Sequence, residues 1–257
     1  MAELRPHYHW LVPEAHPLSA ATIADAKRRG LSARALRVLS RRGPVDPAEL
    51  ASRFDTPVAG LHDPRQLPDA DVLLERVSRA RRDGQSVLVL GDFDADGLTG
   101  LAILTQALRR LGLVVEPYVP DRSGEGHGLS LAAVERARDG GPALIITADT
   151  GSTSVEEVAA ARAAGIDVMV TAHHVLTGAR PDALALVNPQ RDDSAYPDHR
   201  LSGAGVAFKV AQLLLDDTPA DQAAALALAD LAAVGSIADV VPIAGENRSI
   251  VRLGLAR

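Results

Sequence analysis

The chain has no cysteine and only two lysines, Lys27 and Lys209, in 257 residues. Without thiols there are no disulfides and no cysteine nucleophile, and a reducing cytosol is compatible. The lysine scarcity beside abundant arginine and alanine fits a GC-rich coding bias more than a function. No apolar run approaches the roughly 20 residues that cross a bilayer. Met1–Trp10 lacks the charged-then-apolar pattern of a secretory signal. The expectation is a soluble, cytoplasmic protein with no membrane partner. Net charge is −6, without the basic excess that advertises nucleic-acid binding. Met1–Leu50 carries eight Arg/Lys against five Asp/Glu, which reads as a solvated helical face.

What is present is concentrated in Val87–Gly97. The apolar, β-branched run Val87–Leu90 reads as a buried strand, and it ends in Asp92, Asp94 and Asp96 followed by Gly97. Three acids at one strand tip repel each other unless something positive lies among them, and a divalent cation with oxygen ligands serves best. An acidic, solvated turn would carry the same letters. The distinguishing feature is that acids and histidines recur at later strand ends. An EF-hand loop is excluded, because its twelfth position must be a bidentate Glu and here it is Ile103.

Short helices punctuated by Pro and Gly are expected over Ala20–Arg29, Ala33–Arg41 and Pro47–Phe54. An amphipathic helix follows from Pro68 to about Asp83. From Val87 strands and helices alternate, with strands at Val87–Leu90, Val114–Val119, Ala143–Thr147, Val168–Thr171 and Leu184–Val187. Helices are expected at Leu98–Leu111, Leu129–Arg138, Val155–Ala164, Ala204–Leu215 and Ala220–Val234. This pattern predicts an α/β fold with a doubly wound, mostly parallel sheet at residues 71–257, preceded by a small helical segment at 1–70.

In such sheets ligands bind outside the carboxyl ends of the strands. The first strand ends in Asp92, Asp94 and Asp96, the third in Asp149-Thr150-Gly151, and the fourth in Ala172-His173-His174. Gathered in one crevice, this oxygen and nitrogen donor set is too large for one tetrahedral zinc and suits a pair of Mn²⁺ or Mg²⁺ ions. Imidazole among the carboxylates favours manganese. Ser202-Gly203-Ala204-Gly205 precedes a helix whose open N–H groups could take an anion, though close helix packing would select the same small residues. It lacks the third glycine of a dinucleotide fingerprint. Asp239, just past a helix among apolar neighbours, needs a partner, whether metal, cap or salt bridge.

Together these motifs resemble the DHH phosphoesterase superfamily, and within it the catalytic core of RecJ-type single-strand exonucleases. The resemblance runs from about Asp63 to the C-terminus. It is densest at Gly91–Gly97, Ile146–Gly151, Ala172-His173-His174, Leu201–Lys209, and Ala238–Pro242 with Gly245–Arg248. Tyr118–Arg122 with Gly126-His127-Gly128-Leu129 is similar to a loop of the same enzymes. The resemblance implies that Asp94, Asp96, Asp149, His173 and Asp239 ligate two divalent ions, Mn²⁺ preferred and Mg²⁺ possible, with Asp149 bridging and Asp92 a ligand or close neighbour. His174, Asp149 and Asp96 are the implied catalytic residues. His174, Ser202, Gly203 and Gly205 are implied to face the phosphate backbone, and Arg109 is a candidate for gripping it. The implied activity is 5′-to-3′ digestion of single-stranded DNA to mononucleotides in repair and recombination. Single-stranded DNA, a single-strand-binding protein and a helicase are the expected partners.

Two departures qualify this. Position 172 is Ala where the family has Asp, and loss of a carboxylate near a metal commonly costs ten- to a hundredfold in affinity or activity. A single change inside otherwise intact motifs reads as engineered inactivation, so this chain is expected to be impaired. The chain also stops where such enzymes continue into a second phosphoesterase subdomain and an OB-fold, as a portion of a longer enzyme would. Competing readings are a small-substrate hydrolase (nanoRNA, phosphoadenosine phosphate or pyrophosphate) and a non-catalytic single-strand-binding protein on the same fold. The intact acids argue against the second.

Overall fold

The computed structural model of the chain describes residues 11–126 and 128–257 and divides into two compact units, at Ala59/Gly60. The first unit is helical: α1 (Ala20–Arg28), α2 (Ala33–Arg42) and α3 (Pro47–Phe54). Ser19, Ser32 and Asp46 cap them by accepting from the N–H groups of Thr22, Ala35 and Glu49. Ala26, Leu36, Val45 and Leu50 form its small core. Residues 60–69, expected in this segment, instead fold with the second unit. There His62 N–H donates to Glu246, and Asp69 accepts from Leu186 N–H.

The second unit contains α4 (Ala70–Arg82), β1 (Ser86–Gly91), α5 (Ala95–Arg110), β2 (Val114–Tyr118), α6 (Leu131–Gly140), β3 (Leu144–Ala148), α7 (Val155–Ala163), β4 (Asp167–Thr171) and β5 (Ala185–Val187). It closes with α8 (Gly203–Leu214), α9 (Pro219–Ala227), α10 (Ala229–Ala238) and α11 (Gly245–Leu255). All strand pairs are parallel, in the order β2-β1-β3-β4-β5. Val87, Val89, Ile146 and Met169 pack with side chains of α4, α5 and α8. Leu88, Leu90, Ile145, Val168 and Val170 pack with those of α6 and α7. Burial on both faces is why these strands read as continuous apolar runs and not as alternating ones.

The C-terminal third departs from expectation in three ways. The helix expected over Ala220–Val234 is two helices with a turn at Leu228, and the second continues to Ala238. α11 adds a helix that the sequence reading left unassigned. Pro219–Ala238 is long and apolar enough by composition to cross a membrane, contrary to the expectation of no such run. Part of it serves the core, since Ala225, Ala229, Ala232 and Ala233 are buried there and α10 packs on α5, α8 and α11, while Val234 and Ile237 of the same run are exposed.

Candidate metal centre

Register places the strand tips in one line, with Gly91 beside Ala148, Ala148 beside Thr171, and Thr171 beside Val187. From β1 the chain passes to β2 on one side and returns to β3 on the other. The carboxyl ends of β1 and β3 therefore flank the point where strand order reverses, the usual place for a crevice. Asp96, in the first turn of α5, and Asp149, just after β3, both lie there.

Asp96 is almost fully buried. Its Oδ2 accepts from Gly203 N–H at 2.6 Å and its Oδ1 from Ala204 N–H at 2.9 Å. The carboxylate thus occupies the positive end of α8. Burial raises its pKa, and the two N–H donors and His173 only partly oppose that. Asp149 is 2% exposed, with its backbone in the left-handed region at φ 62°. Burial, reinforced by the Asp96 charge, pushes its carboxyl up to about 6 against the opposing pull of His173.

His173 lies among three acids. Its Nε2 is 3.2 Å from Asp149 Oδ1, 3.6 Å from Asp239 Oδ2 and 3.8 Å from Asp96 Oδ2. Burial lowers its pKa, but the three carboxylates outweigh burial and the net shift is upward. Nε2 and Asp149 Oδ1 are both buried, and neither completes a hydrogen bond despite their 3.2 Å approach. Such orphans are costly, and a cation that both can ligate removes the cost. Two groups, Asp149/His173/His174 and Asp96/His173/Asp239, each have ligand atoms within 4.8 Å of one another. This mixed oxygen and nitrogen donor set fits a divalent ion.

Two glycines make these approaches possible. A Cβ on Gly203 would lie 2.4 Å from Asp149 Cβ, and one on Gly235 would lie 2.5 Å from Asp96 Oδ1. The His-His backbone is held from β5. Buried Asn188 donates to His174 C=O at 2.8 Å, and Gln190 donates to His173 C=O. Sequence reasoning did not single out these two, although polar residues directly after a strand at the same edge were the available signal. The His174 ring is more than half exposed and lies 4.5 Å from that of His173.

Other expected residues lie differently. Asp94 caps α5 by accepting from Gly97 N–H, and Asp92 accepts from Phe93 N–H. Both sit at the right strand tip, yet neither belongs to the ligand groups found among the described residues. Ser202, Gly203 and Gly205 do not form an open anion site. Ser202 is fully buried, bonds Ser236 and caps Gly205, while Asp96 takes the N–H groups of 203 and 204. The anion at this helix end is the protein's own carboxylate. Arg109 bonds Val115 C=O at the far end of α5, about 20 Å along the helix from Asp96, and cannot grip phosphate at this centre. Ala172 is fully buried in the apolar cluster of Leu88, Leu90 and Val170. His127 lies outside the described residues.

The family model "DHH family, N-terminal domain" matches residues 86–236. The chain is 39% identical over 221 residues to the single-stranded-DNA-specific exonuclease RecJ of Bacillus subtilis, covering 86% of this chain and 27% of that protein. It resembles a crystal structure of exonuclease RecJ bound to manganese, with TM-score 0.67, 38% identity, and coverage of 74% of this chain and 48% of that one. RecJ from Thermus thermophilus in complex with Mn²⁺ matches 95% of this chain and 34% of that chain, with TM-score 0.68 and 31% identity. The chain spans between 27% and 39% of the length of the curated RecJ relatives it matches. The matched segment runs from β1 into α10 and carries every acid and histidine of the two ligand groups except Asp239, so the chain belongs to the DHH family.

Proposed function

We propose that this chain carries the catalytic centre of a divalent-metal-dependent phosphodiester hydrolase that digests single-stranded DNA from the 5′ end to mononucleotides. One observation carries the reading. Asp96, Asp149, His173 and Asp239 come from four separate parts of the chain and converge on one place, where Asp149 Oδ1 and His173 Nε2 are buried without a hydrogen-bond partner. The RecJ relatives, specific for single-stranded DNA, support the substrate, and the manganese-bound RecJ structures support the metal. Cytoplasmic DNA repair and recombination is the proposed setting, with a single-strand-binding protein and a helicase as partners.

Asp96, Asp149, His173 and Asp239 would hold the ions, Mn²⁺ ahead of Mg²⁺. Asp94 and Asp92 would complete the set, Asp94 through the oxygen that the α5 cap leaves over. Bound ions of this kind polarise a phosphoryl oxygen and acidify a water enough to make it a nucleophile near neutral pH. The exposed His174 ring is placed to donate to phosphoryl oxygens as negative charge builds there. Asp96, clamped by two N–H groups of α8, keeps its orientation without help from substrate. Ala172, where the family has Asp, takes one carboxylate away from the residue next to the histidine pair, and the chain is impaired by roughly ten- to a hundredfold for that reason.

The test is manganese-dependent hydrolysis of single strands labelled at either end, by this chain and by Ala172→Asp. The expected result is release of 5′-terminal mononucleotides, faster with the revertant. If neither protein cleaves with manganese present, the proposed function is wrong; equal rates from both would remove the claim about Ala172.

A further inference from the structure

The two units carry opposite charge. Residues 1–59 hold nine Arg/Lys against six Asp/Glu, whereas residues 60–257 hold eighteen against twenty-seven. The net charge of the unit that bears the candidate centre disfavours a polyanion at long range, and the helical unit is the part of this chain with a basic excess.

Within the helical unit the positive charge is arranged, not scattered. α2 has no acidic residue in its sequence, ARALRVLSRR. Arg34, Arg37 and Arg41 are all exposed. At 3.6 residues per turn they fall within an arc of about 60°, outside the sector of the buried Leu36 and Ser40, and span about 10 Å along the axis. Arg42 flanks this stripe, and Val38 lies within the same outward face, 52% exposed. Arg28, Arg29 and Arg53 of the same unit are engaged by Asp25, Asp55 and Glu49. Among the described residues no carboxylate lies within ion-pair distance of Arg34, Arg37, Arg41 or Arg42.

Helix stability does not account for the pattern. Arg41 and Arg42 complement the negative end of α2, but Arg34 sits in its first turn, where the helix dipole disfavours a cation. Three guanidinium groups repelling one another along one stripe, with no carboxylate among the described residues to pair them, are suited to an external anion of repeating charge.

We propose that the Arg34–Arg37–Arg41 face of α2 is a docking surface for the phosphodiester backbone of single-stranded DNA. This rests on the proposed function, whose substrate it takes as its ligand. The contacts are to phosphate, so they add affinity without sequence preference.

The test is equilibrium binding of the whole chain to a dT homopolymer over a series of salt concentrations. It compares the unsubstituted protein with R34Q/R37Q/R41Q, with the charge-preserving R34K/R37K/R41K, and with R136Q/R138Q/R162Q. The last removes equal charge from exposed, carboxylate-paired positions of the sheet unit. Each phosphate contact on a single strand contributes about 0.7 to the slope of log K against log salt, so the glutamine triple should lower the slope by about two. Its affinity near physiological salt should fall tenfold or more, while the lysine triple keeps the slope and the control triple changes it little. An unchanged slope in R34Q/R37Q/R41Q, or an equal fall in the control, would overturn the proposal. Failure of the function itself is read separately, from hydrolysis of a small chromogenic phosphodiester by the Ala172→Asp protein. That reaction should be the same with and without the α2 substitutions.

Discussion

Two buried clusters of charged side chains in the sheet unit differ in whether their polar atoms are satisfied. In one, Lys209 and Glu246 are fully buried 3.0 Å apart. Glu246 also accepts from Tyr196 at 2.6 Å and from His62 N–H at 2.9 Å, and Lys209 donates to His62 C=O. Burial lowers the Lys209 pKa against the pull of Glu246 and raises that of Tyr196. In the other cluster three acids surround one imidazole, and burial drives the Asp96 and Asp149 pKa values upward. The first cluster contains its own counter-charge and ties α8, α11 and residues 60–63 together. The second has a surplus of negative charge and orphaned ligand atoms, which a folded protein tolerates where something else is meant to bind.

The sharpest way to break this contrast is Asp149→Asn. Asparagine tolerates the left-handed backbone at this position, so the fold should survive. Metal-dependent cleavage should fall by roughly a thousandfold, the equivalent of several kcal/mol of lost charge stabilisation. The metal-free protein should melt no lower than the parent, since a repelled acid has been removed. A clear drop in melting temperature would mean that Asp149 is structural, like Glu246.

Lys209→Met should do the reverse. It leaves Glu246 buried without a counter-charge, at a cost of about 3–5 kcal/mol. Pairing it with Glu246→Gln should recover much of that in denaturant titration. If the double variant is no better than the single, the ion pair is not the unit of stability.

Manganese should distinguish the clusters directly. At a hundredfold excess over its dissociation constant it should stabilise the parent by about 2.7 kcal/mol, reversibly with chelator. Asp149→Asn should lose most of this shift in a thermal melt. A Lys209→Met/Glu246→Gln double variant should keep it.

The smallest effect is on pH. Asp149 and His173 both have raised pKa values in the folded protein. The native state therefore holds these protons more tightly, and the stability they contribute is present at low pH and lost as pH rises. For Asp149 the window runs from its ordinary value of 3.8 to about 6. Metal-free protein should lose stability across this range, by a few kcal/mol at most. Saturating manganese should flatten the dependence, because the ion replaces the protons. A metal-free stability that rises between pH 4 and 6 would contradict the assignment.

Much of the candidate site was legible because strand tips in a parallel sheet share an edge. The apolar runs ending in Asp92–Asp96, Asp149 and His173 needed only that rule. Less legible was the use made of each group. Ser202–Gly205 was readable as a helix start that could take an anion, but the anion is Asp96, more than a hundred residues away in sequence. Asp94 and Asp96 are two positions apart, yet one caps α5 while the other is buried against α8. The Lys209–Glu246 pair, the Asn188 and Gln190 contacts and the turn at Leu228 depend on tertiary neighbours that local pattern does not encode.

The contact of Asp96 with α8 has a consequence for ion entry. Both oxygens of this acid are already steered by peptide groups that cannot rotate away, so the side chain has little freedom left to surrender when a cation arrives. An arriving ion would meet a carboxylate already aimed, and the first turn of the helix behind it would feel the change in charge.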